Sequence, residues 1–343
     1  MLPGRMSRPL SPPQPPPAID VDDLKKSFGD VEAVRGVSFS VAPGEVFGFL
    51  GPNGAGKSTT INMLCTLLKP TAGSARVGGH DVATERDDVR RHIGLVFQDQ
   101  TLDGYLTAEQ NLRLHAELYG IDPRVVPARM EQMLRMVDLF DRRKDTVMTF
   151  SGGMRRRLEI ARGLMHSPRV LFLDEPTIGL DPQTRASIWR YIRALQKTEE
   201  TTIFMTTHYM DEAEFCDRIA IMDRGQIVVL DTPDHLKASV GKDRVTLGTA
   251  DDTAAIQQLQ ERFGLEATTS EGHVTFFVDS GEEFVPRLFA GLDVSITAVS
   301  VSRPTLDDVF MNYTGSTIRD AETGGGASER NRQVMRVMAG GRR

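Results

Sequence analysis

The chain has 343 residues and a formal net charge of −6, from 41 lysines and arginines against 47 acidic side chains. That acidic balance argues against a protein that coats nucleic acid, because such proteins present a basic surface. The only cysteines, Cys65 and Cys216, are far apart in sequence. They exclude a disulfide scaffold, an iron–sulfur cluster and a zinc finger, and they favour a reducing compartment.

No apolar run approaches the ~20 residues that a membrane-spanning helix needs, and the N-terminus lacks the apolar core of a signal peptide. We therefore expect a cytoplasmic chain that reaches a membrane only through a partner. At roughly 150 residues per domain, the length predicts two domains. The expected parts are a disordered proline-rich tail at 1–18, a first domain at 19–240, a small α+β domain at 243–315 and a flexible arginine-rich tail at 316–343. Two alternatives stay open for the tails: a polyproline II ligand at the first and attraction to anionic lipid at the second.

Short, almost continuously apolar runs occupy residues 46–50, 170–173 and 202–205. Runs of this length and composition are typical of strands that are buried on both faces of a parallel sheet. Predicted helices alternate with these strands along the chain. The sequence up to residue 240 therefore indicates an α/β fold with a parallel sheet at its centre.

Two of the predicted helices have clear signals. Thr107 and Gln110 form a capping box, so one helix should begin at Thr107 and stop before Gly120. A second helix is predicted over 126–139. Its expected core residues are Met130, Met133, Leu134 and Val137.

The pattern changes after Gly241. Strands are predicted at 245–247, 274–278 and 295–301, and helices at 253–263 and 282–290. The order β-α-(β)β-α-β is that of a ferredoxin-like unit. A last short helix over 305–314 has an apolar face formed by Leu306, Val309 and Phe310. That face could pack on its own sheet or on the first domain, or dock on a second copy or a membrane partner.

The segment 51–58 fits the pattern G-x-x-x-x-G-K-[ST] and lies between a predicted strand and a predicted helix, as a P-loop should. Its glycines let backbone amides converge on phosphate oxygens, and the following helix points its positive end at them. Lys57 would reach the β- and γ-phosphates of a nucleotide, and the Ser58 hydroxyl would bind Mg²⁺. The predicted nucleotide-binding residues here are Gly51, Pro52, Asn53, Gly54, Ala55, Gly56, Lys57, Ser58 and Thr59.

Two acids follow the second apolar run and fit a Walker B strand. Asp174 should lie at the carboxyl end of that strand, beside the P-loop, where it can hold Mg²⁺ directly or through water. Glu175 can then polarise a water that attacks the γ-phosphate. The alternative for Glu175 is an ordinary surface acid at the end of a strand.

A third motif, Ser151-Gly152-Gly153, precedes a predicted helix and can form a second phosphate-binding terminus. One nucleotide does not need two such termini from the same chain. Two chains that face each other head to tail would use both, one from each subunit.

Taken together, these motifs resemble the ATP-binding cassette ATPases of ABC transporters. Six motifs follow the family's order: the P-loop at 51–58, Gln98, Ser151-Gly-Gly, Asp174-Glu175-Pro-Thr, Asp181 in Gly-Leu-Asp and His208 in Thr-Thr-His. The resemblance covers about residues 19–240. It implies a RecA-like parallel sheet, an antiparallel β subdomain and an α-helical subdomain, with the small α+β ferredoxin-like domain after them.

The resemblance also implies roles for residues outside the P-loop. Gln98 would link Mg²⁺ and the attacking water to the membrane partner, and His208 would contact the γ-phosphate. Asp181 would belong to the D-loop at the nucleotide site. Phe28 would stack on adenine, where many relatives have a tyrosine.

The signature departs from the family's usual Leu-Ser-Gly-Gly-Gln, because Phe150 and Met154 flank the serine and glycines. Met154 and the segment 304–310 resemble a subgroup that serves drug and lipid exporters, including daunorubicin/doxorubicin-resistance exporters. The implied protein is a peripheral ATPase on the cytoplasmic face of the membrane. It would use ATP and Mg²⁺, a permease on a separate chain and a second copy of itself, with no nucleic acid.

The alternative is a soluble ATPase of the same type that acts on DNA or ribosomes. The stretch between Ser58 and Ser151 carries no heptad run, the chain has one cassette, and its net charge is negative, all of which disfavour that alternative. The remaining histidines show no metal-ligand spacing, and both cysteines are interpreted as packed thiols.

Overall fold

The computed structural model describes residues 15–270 and 273–314. Residues 1–14 and the whole arginine-rich segment, for which unpacked tails are predicted, lie outside the described residues. In chain order the strands are β1 (Ile19–Phe28), β2 (Val31–Val41), β3 (Val46–Leu50), β4 (Ala72–Val77), β5 (His80–Asp81), β6 (Ile93–Val96), β7 (Val170–Asp174), β8 (Thr202–Thr207), β9 (Arg218–Asp223), β10 (Gln226–Asp231), β11 (Asp243–Thr249), β12 (Ala267–Ser270), β13 (His273–Val278) and β14 (Ile296–Ser302).

The α-helices of the described residues lie between and around these strands. They are α1 (Lys57–Leu64), α2 (Arg86–His92), α3 (Ala108–Leu118), α4 (Val126–Met136), α5 (Gly152–Gly163), α6 (Pro182–Glu199), α7 (Met210–Ala213), α8 (Pro233–Val240), α9 (Asp252–Phe263), α10 (Gly281–Gly291) and α11 (Leu306–Thr314).

The central sheet has the strand order β10-β9-β3-β8-β7-β6, and all of its pairs except β10-β9 are parallel. Every residue of β3, β7 and β8 is buried, which confirms the three strands predicted from apolar runs. Parallel strands end at the same edge of a sheet, and ligands bind beyond that edge. The loop after β3 and the acids at the end of β7 therefore meet at one place.

A smaller antiparallel sheet, ordered β2-β1-β4-β5, covers one side of the central sheet. Phenylalanine rings fill the space between them: Phe39 of β2 stacks on Phe47 of β3 with ring centroids 5.4 Å apart, and Phe204 of β8 lies 5.6 Å from Phe47. Buried residues of α1 belong to the same cluster. This packing fixes α1, and with it the P-loop, against the central sheet.

Helices α3, α4 and α5 form a second core on the other side. The Thr107–Gln110 capping box is present in both directions, and α3 ends before Gly120, as predicted. The predicted 126–139 helix ends earlier, at Met136, because Asp138 adopts a left-handed backbone with φ of 56°. Val137 caps the helix and is still fully buried, so its predicted place in the core is correct.

The third sheet has the order β12-β13-β11-β14 and is antiparallel throughout. With α9 and α10 packed on one face, it has the ferredoxin-like arrangement predicted from the element order. Its core includes Val245, Phe276, Leu259 and Leu288. The predicted fold class is therefore confirmed, from the central parallel sheet to this α+β unit.

Helix α11 leaves the third sheet and packs on α8, α7 and β10. Leu306, Val309 and Phe310 are buried in the same core cluster as Leu236 of α8 and the helices around α5. Among the options that the sequence left open, the structure shows contact with the first domain. Helix α11 thus packs the last described residues against the part of the chain that carries the nucleotide motifs.

Candidate active site

The P-loop connects β3 to α1 in a conformation that depends on its glycines. Gly56, at the start of α1, has φ of 109°, a conformation that other residues adopt only with strain. A Cβ on Gly51 would meet the carbonyl oxygen of Met222 at 2.3 Å, and one on Gly56 would meet that of Ala33 at 2.6 Å. Gly56 has no side chain with which to cap α1, and the positive end of the helix faces the loop, as a phosphate site requires.

Lys57 is buried inside this loop. Its Nζ donates hydrogen bonds to the carbonyl oxygens of Gly51 at 2.6 Å and Pro52 at 3.1 Å. The same nitrogen lies 3.7 Å from Oε1 of Glu175. One ammonium group therefore connects the P-loop to the end of β7.

Ser58 and Asp174 meet at the edge of the sheet. The Ser58 hydroxyl donates to Oδ1 of Asp174 at 3.3 Å, and Thr206 of β8 donates to the same oxygen. Burial raises the pKa of Asp174, and the hydrogen bond from Thr206 offsets only part of that rise. A hydroxyl and a carboxylate oxygen side by side are the hard ligands that Mg²⁺ prefers, so these residues fit a magnesium ion.

Glu175 follows Asp174 with a left-handed backbone, φ 46°, and its amide donates to Oγ1 of Thr206 at 3.0 Å. Its Oε2 lies 3.3 Å from Nδ1 of His208. Burial by itself would raise the pKa of Glu175, but the hydrogen bond from His208 and the charge of Lys57 outweigh it and lower the pKa. Because the side chain is 6% exposed, the alternative of an ordinary surface acid is excluded.

A buried carboxylate behind His208 escaped the sequence analysis. Glu212 accepts a hydrogen bond from the hydroxyl of Thr207 at 2.7 Å and another from the hydroxyl of Thr177. Burial raises the pKa of Glu212. This side chain joins the segment after the Walker B acids to the segment before His208. No sequence pattern predicted Glu212, because Thr177 and Glu212 are far apart in sequence and meet only in the folded chain.

The Ser151-Gly152-Gly153 motif begins α5. The Ser151 hydroxyl accepts from the amide of Met154 at 3.3 Å and caps the helix. A Cβ on Gly153 would meet Thr184 of α6 at 2.3 Å, whereas one on Gly152 would meet nothing nearer than Leu180 at 3.6 Å. Gly153 is thus required for helix packing, while Ser151 and Gly152 are exposed.

The other predicted site residues lie around this cluster. Gln98 is exposed and shares a cavity of about 280 Å³ with Gly152. Phe28 is the half-buried last residue of β1. Asp181 caps α6, where its Oδ1 accepts from the amide of Thr184 at 3.0 Å. The structure therefore brings Lys57, Ser58, Asp174, Glu175 and His208 into direct contact, and leaves Gln98, Phe28 and Asp181 outside that contact network.

One further cluster contains possible metal ligands that their sequence spacing did not predict. Ligand atoms of His80, Glu85 and Asp88 lie within 4.8 Å of one another. His80 is 3.4 Å from Glu85, and Asp88 pairs with Arg91 at 2.9 Å. These pairings within the protein explain why the three side chains lie close together, with no need for a metal ion.

Comparison with known proteins gives the family. The family described as "ABC transporter" matches residues 34–178, and "ATP-binding protein DrrA1-3-like, C-terminal domain" matches 232–314. The daunorubicin resistance ATP-binding protein DrrA3 of Streptomyces coeruleorubidus is 42% identical over 89% of this chain and 98% of its own. The linearmycin resistance ATP-binding protein LnrL of Bacillus subtilis is 37% identical over 88% of this chain and 100% of its own.

Solved structures agree with these relatives. An ATP-binding subunit of an ABC transporter superposes with a TM-score of 0.59 at 30% identity, covering 65% of this chain and 92% of its own. A dimeric cassette in a post-hydrolysis state, bound to ADP and phosphate, superposes with a TM-score of 0.57 at 27% identity, covering 62% of this chain and 98% of its own. The sequence motifs, the geometry at the end of β7 and these relatives agree: the chain belongs to the ATP-binding subunits of ABC transporters.

Proposed function

We propose that the chain powers an exporter of drugs or other hydrophobic compounds whose permease is a separate chain. ATP-binding subunits of this family are ATPases that dimerise and work with membrane permeases. The observation that carries the proposal is the contact of Lys57 and His208 with the buried carboxylate of Glu175, beside the Ser58–Asp174 pair. Relatives named for resistance to daunorubicin and to linearmycin support an exported hydrophobic compound.

Each residue of the cluster has a proposed role in ATP hydrolysis. The amides of residues 51–59 and Lys57 bind the phosphates. Glu175, whose lowered pKa keeps it ionised, accepts hydrogen bonds from the attacking water and polarises it. His208 holds Glu175 and contacts the γ-phosphate. Phe28 stacks on adenine through its ring face, which needs no hydroxyl.

Magnesium is proposed to bind beside the same cluster. Ser58, Asp174 and Gln98 would hold it, since each offers an oxygen ligand. The ion would neutralise charge that develops on the phosphates during transfer. Holding Asp174 in place is the task of Thr206, which donates to the carboxylate from the neighbouring strand.

The complete site is proposed to need a second copy of the chain. Ser151 and Gly152 are exposed at the start of α5, where amides can bind a phosphate. In a head-to-tail dimer, this terminus and Asp181 of one subunit would face the nucleotide on the P-loop of the other. A related cassette was solved as a dimer, which supports a second copy at the site.

The proposed contact with the permease lies near Gln98. Backbone hydrogen bonds of 2.9 Å join Met148 to Gly104 and Val147 to Leu106, so two loops run side by side. They expose Tyr105 at 82% and Met148 at 57%. Large exposed apolar side chains of this kind suit an interface with a protein partner.

The proposed location is the cytoplasmic face of the membrane, held there by the permease. Among residues 15–270 and 273–314, no helix is both long and apolar enough to cross a bilayer. The relatives give no support to the alternative of an ATPase that acts on DNA or ribosomes.

The proposal also gives the two domains separate roles. All the proposed nucleotide-site residues lie between Phe28 and His208, inside the cassette at 19–240. The third sheet, within 243–315, contributes none of them. We assign that unit an accessory role in assembly or regulation.

Light scattering of the full chain with Glu175→Gln tests the composite site. This variant should become dimeric with ATP·Mg²⁺ and stay monomeric with ADP, because bound ATP is not consumed. Adding Ser151→Arg should abolish the dimer while ATP still binds to the P-loop. A dimer that forms equally well with Ser151→Arg would contradict the composite site.

A further inference from the structure

Three consecutive arginines on α5 have different surroundings, and the middle one is buried. Arg156 is 6% exposed. Its guanidinium donates to the carbonyl oxygens of Asp174 at 3.0 Å, Glu175 at 3.1 Å and Pro176 at 2.6 Å. A further bond of 2.5 Å runs to the carbonyl oxygen of Phe97, the residue before Gln98. One side chain therefore holds both Walker B carbonyls and the start of the Gln98 loop.

The far end of the Gln98 loop is held by the same helix. Glu159, which is 1% exposed, accepts from Nη1 of Arg156 at 3.0 Å and from the amide of Thr101 at 2.8 Å. Arg162 donates to the carbonyl oxygen of Thr101 at 2.8 Å. The loop 97–101 is thus anchored at both ends to α5.

Only arginine can make this set of contacts. Its planar guanidinium has five N–H donors in a rigid fork, whereas lysine has three donors on one nitrogen. A buried cation is expensive unless it is paired, and Glu159 supplies the partner. Such a buried, fully bonded group transmits displacement, because its partners cannot move independently.

We propose that Arg156, held by Glu159, is a positioning residue that couples the two ATP sites of the dimer. The inference rests on the proposed composite site, in which Ser151 at the start of α5 binds the partner's ATP. Arg156 lies about one helical turn further along α5 and holds the backbone of Glu175 in its own subunit. When the partner's ATP binds at the start of α5, the helix therefore sets the positions of Glu175 and Gln98 at the subunit's own ATP site.

ATP titrations and steady-state hydrolysis by the full chain test this coupling, with Arg156→Gln, Arg156→Lys and Glu159→Gln as variants. We expect ATP affinity to stay within about threefold, since the P-loop is untouched. We expect kcat to fall about 10- to 100-fold in Arg156→Gln, because small displacements of catalytic groups cost that much. The Hill coefficient for ATP should also fall towards 1 in Arg156→Gln. In Arg156→Lys, both kcat and the Hill coefficient should lie between those of Arg156→Gln and the wild type.

Arg157→Gln is the matched control. Arg157 bonds to the carbonyl oxygen of Val137 at 2.8 Å and to the hydroxyl of Tyr191 at 3.2 Å, away from the Walker B acids. The Arg157→Gln variant should have a kcat and a Hill coefficient near the wild-type values. If Arg157→Gln loses as much kcat as Arg156→Gln, the effect is general helix damage and the proposal fails.

Two results separate this inference from the proposed function. Lys57→Ala and Glu175→Gln are measured beside the Arg156 variants, and if they bind and hydrolyse ATP normally, the site assignment itself is wrong. If they behave as expected while folded Arg156→Gln keeps its kcat and Hill coefficient, only the coupling role is overturned. If Arg156→Gln fails to fold, Arg156→Lys and Glu159→Gln test the coupling role instead. An unchanged kcat and an unchanged Hill coefficient in both variants would overturn that role.

Discussion

At the scale of single residues, the cluster at the end of β7 brings ionisable side chains close together at the edge of the central sheet. Lys57 and His208 flank the carboxylate of Glu175, and Ser58 and Thr206 bond to that of Asp174. Buried charges persist only when they are paired. The same groups that keep the cluster stable are those that would bind phosphates and polarise water.

Lys57→Ala should weaken ATP binding about 10- to 100-fold, since hydrogen bonds to charged groups contribute about 1.5–3 kcal/mol. Isothermal titration calorimetry of the full chain measures the change. Lys69→Ala removes an exposed lysine beyond α1 and should leave the affinity unchanged. Near-normal affinity in Lys57→Ala would show that the loop does not bind nucleotide phosphates.

His115 should make stability depend on pH. Burial, with smaller contributions from Arg162 and His166, lowers its pKa from 6.5 to about 3. Between these values the unfolded chain binds a proton that the folded chain does not, so stability is lost as the pH falls below 6.5. We expect His115 to account for a loss of about 1 kcal/mol between pH 7 and pH 5.5.

Urea unfolding of the wild type and His115→Gln at several pH values measures this contribution. At pH 8 the imidazole is neutral in both states, so the difference between the proteins reports packing alone. That difference should shift by about 1 kcal/mol in favour of the variant at pH 5.5. If the two pH profiles are parallel, His115 takes up its proton at the same pH in the folded and unfolded chains, which would contradict the prediction.

Motifs in the sequence predicted the directly contacting residues of the cluster, because each belongs to a local pattern of glycines, hydroxyls or acids. Arg156 and Glu212 were not predicted as site residues. Their partners are backbone carbonyls and hydroxyls that lie far away in sequence, such as Phe97 for Arg156 and Thr177 for Glu212. Such contacts follow from the packing of α5, β7 and α7, which no local pattern encodes.

At the scale of elements, local signals predicted the start of α3 and three strands of the central sheet, β3, β7 and β8. The end of α4 was missed because Asp138 takes a left-handed conformation that glycine or asparagine more often adopts. The partner of α11 could not be predicted either. An apolar helical face shows that a neighbour exists, but only the fold identifies it as α8.

Phe310→Ala should destabilise the chain by about 3–5 kcal/mol, because it removes a fully buried aromatic ring from the core shared with α8. Urea unfolding at pH 8 measures the change. Tyr313→Ala on the same helix is the control, since Tyr313 is 39% exposed and should cost much less. Equal, small effects of both variants would mean that α11 does not rest on the first domain.

At the scale of the whole molecule, we propose that one chain contributes two separate surfaces to ATP hydrolysis. The P-loop and the Walker B acids form one surface, and the exposed start of α5 at Ser151 forms the other. Arg156 connects them within a subunit. This arrangement explains why a dimer is proposed as the working unit.

Glu175→Gln tests the central claim most directly, by comparing ATP affinity with the rate of phosphate release from the full chain. The amide keeps the size of the carboxylate and leaves Ser58 and Asp174 in place, but it cannot act as a base. We predict that ATP affinity stays within about threefold while kcat falls about 100-fold or more, as expected when a general base is lost. Hydrolysis at the wild-type rate with unchanged affinity would contradict the assignment of Glu175 and the mechanism built on it.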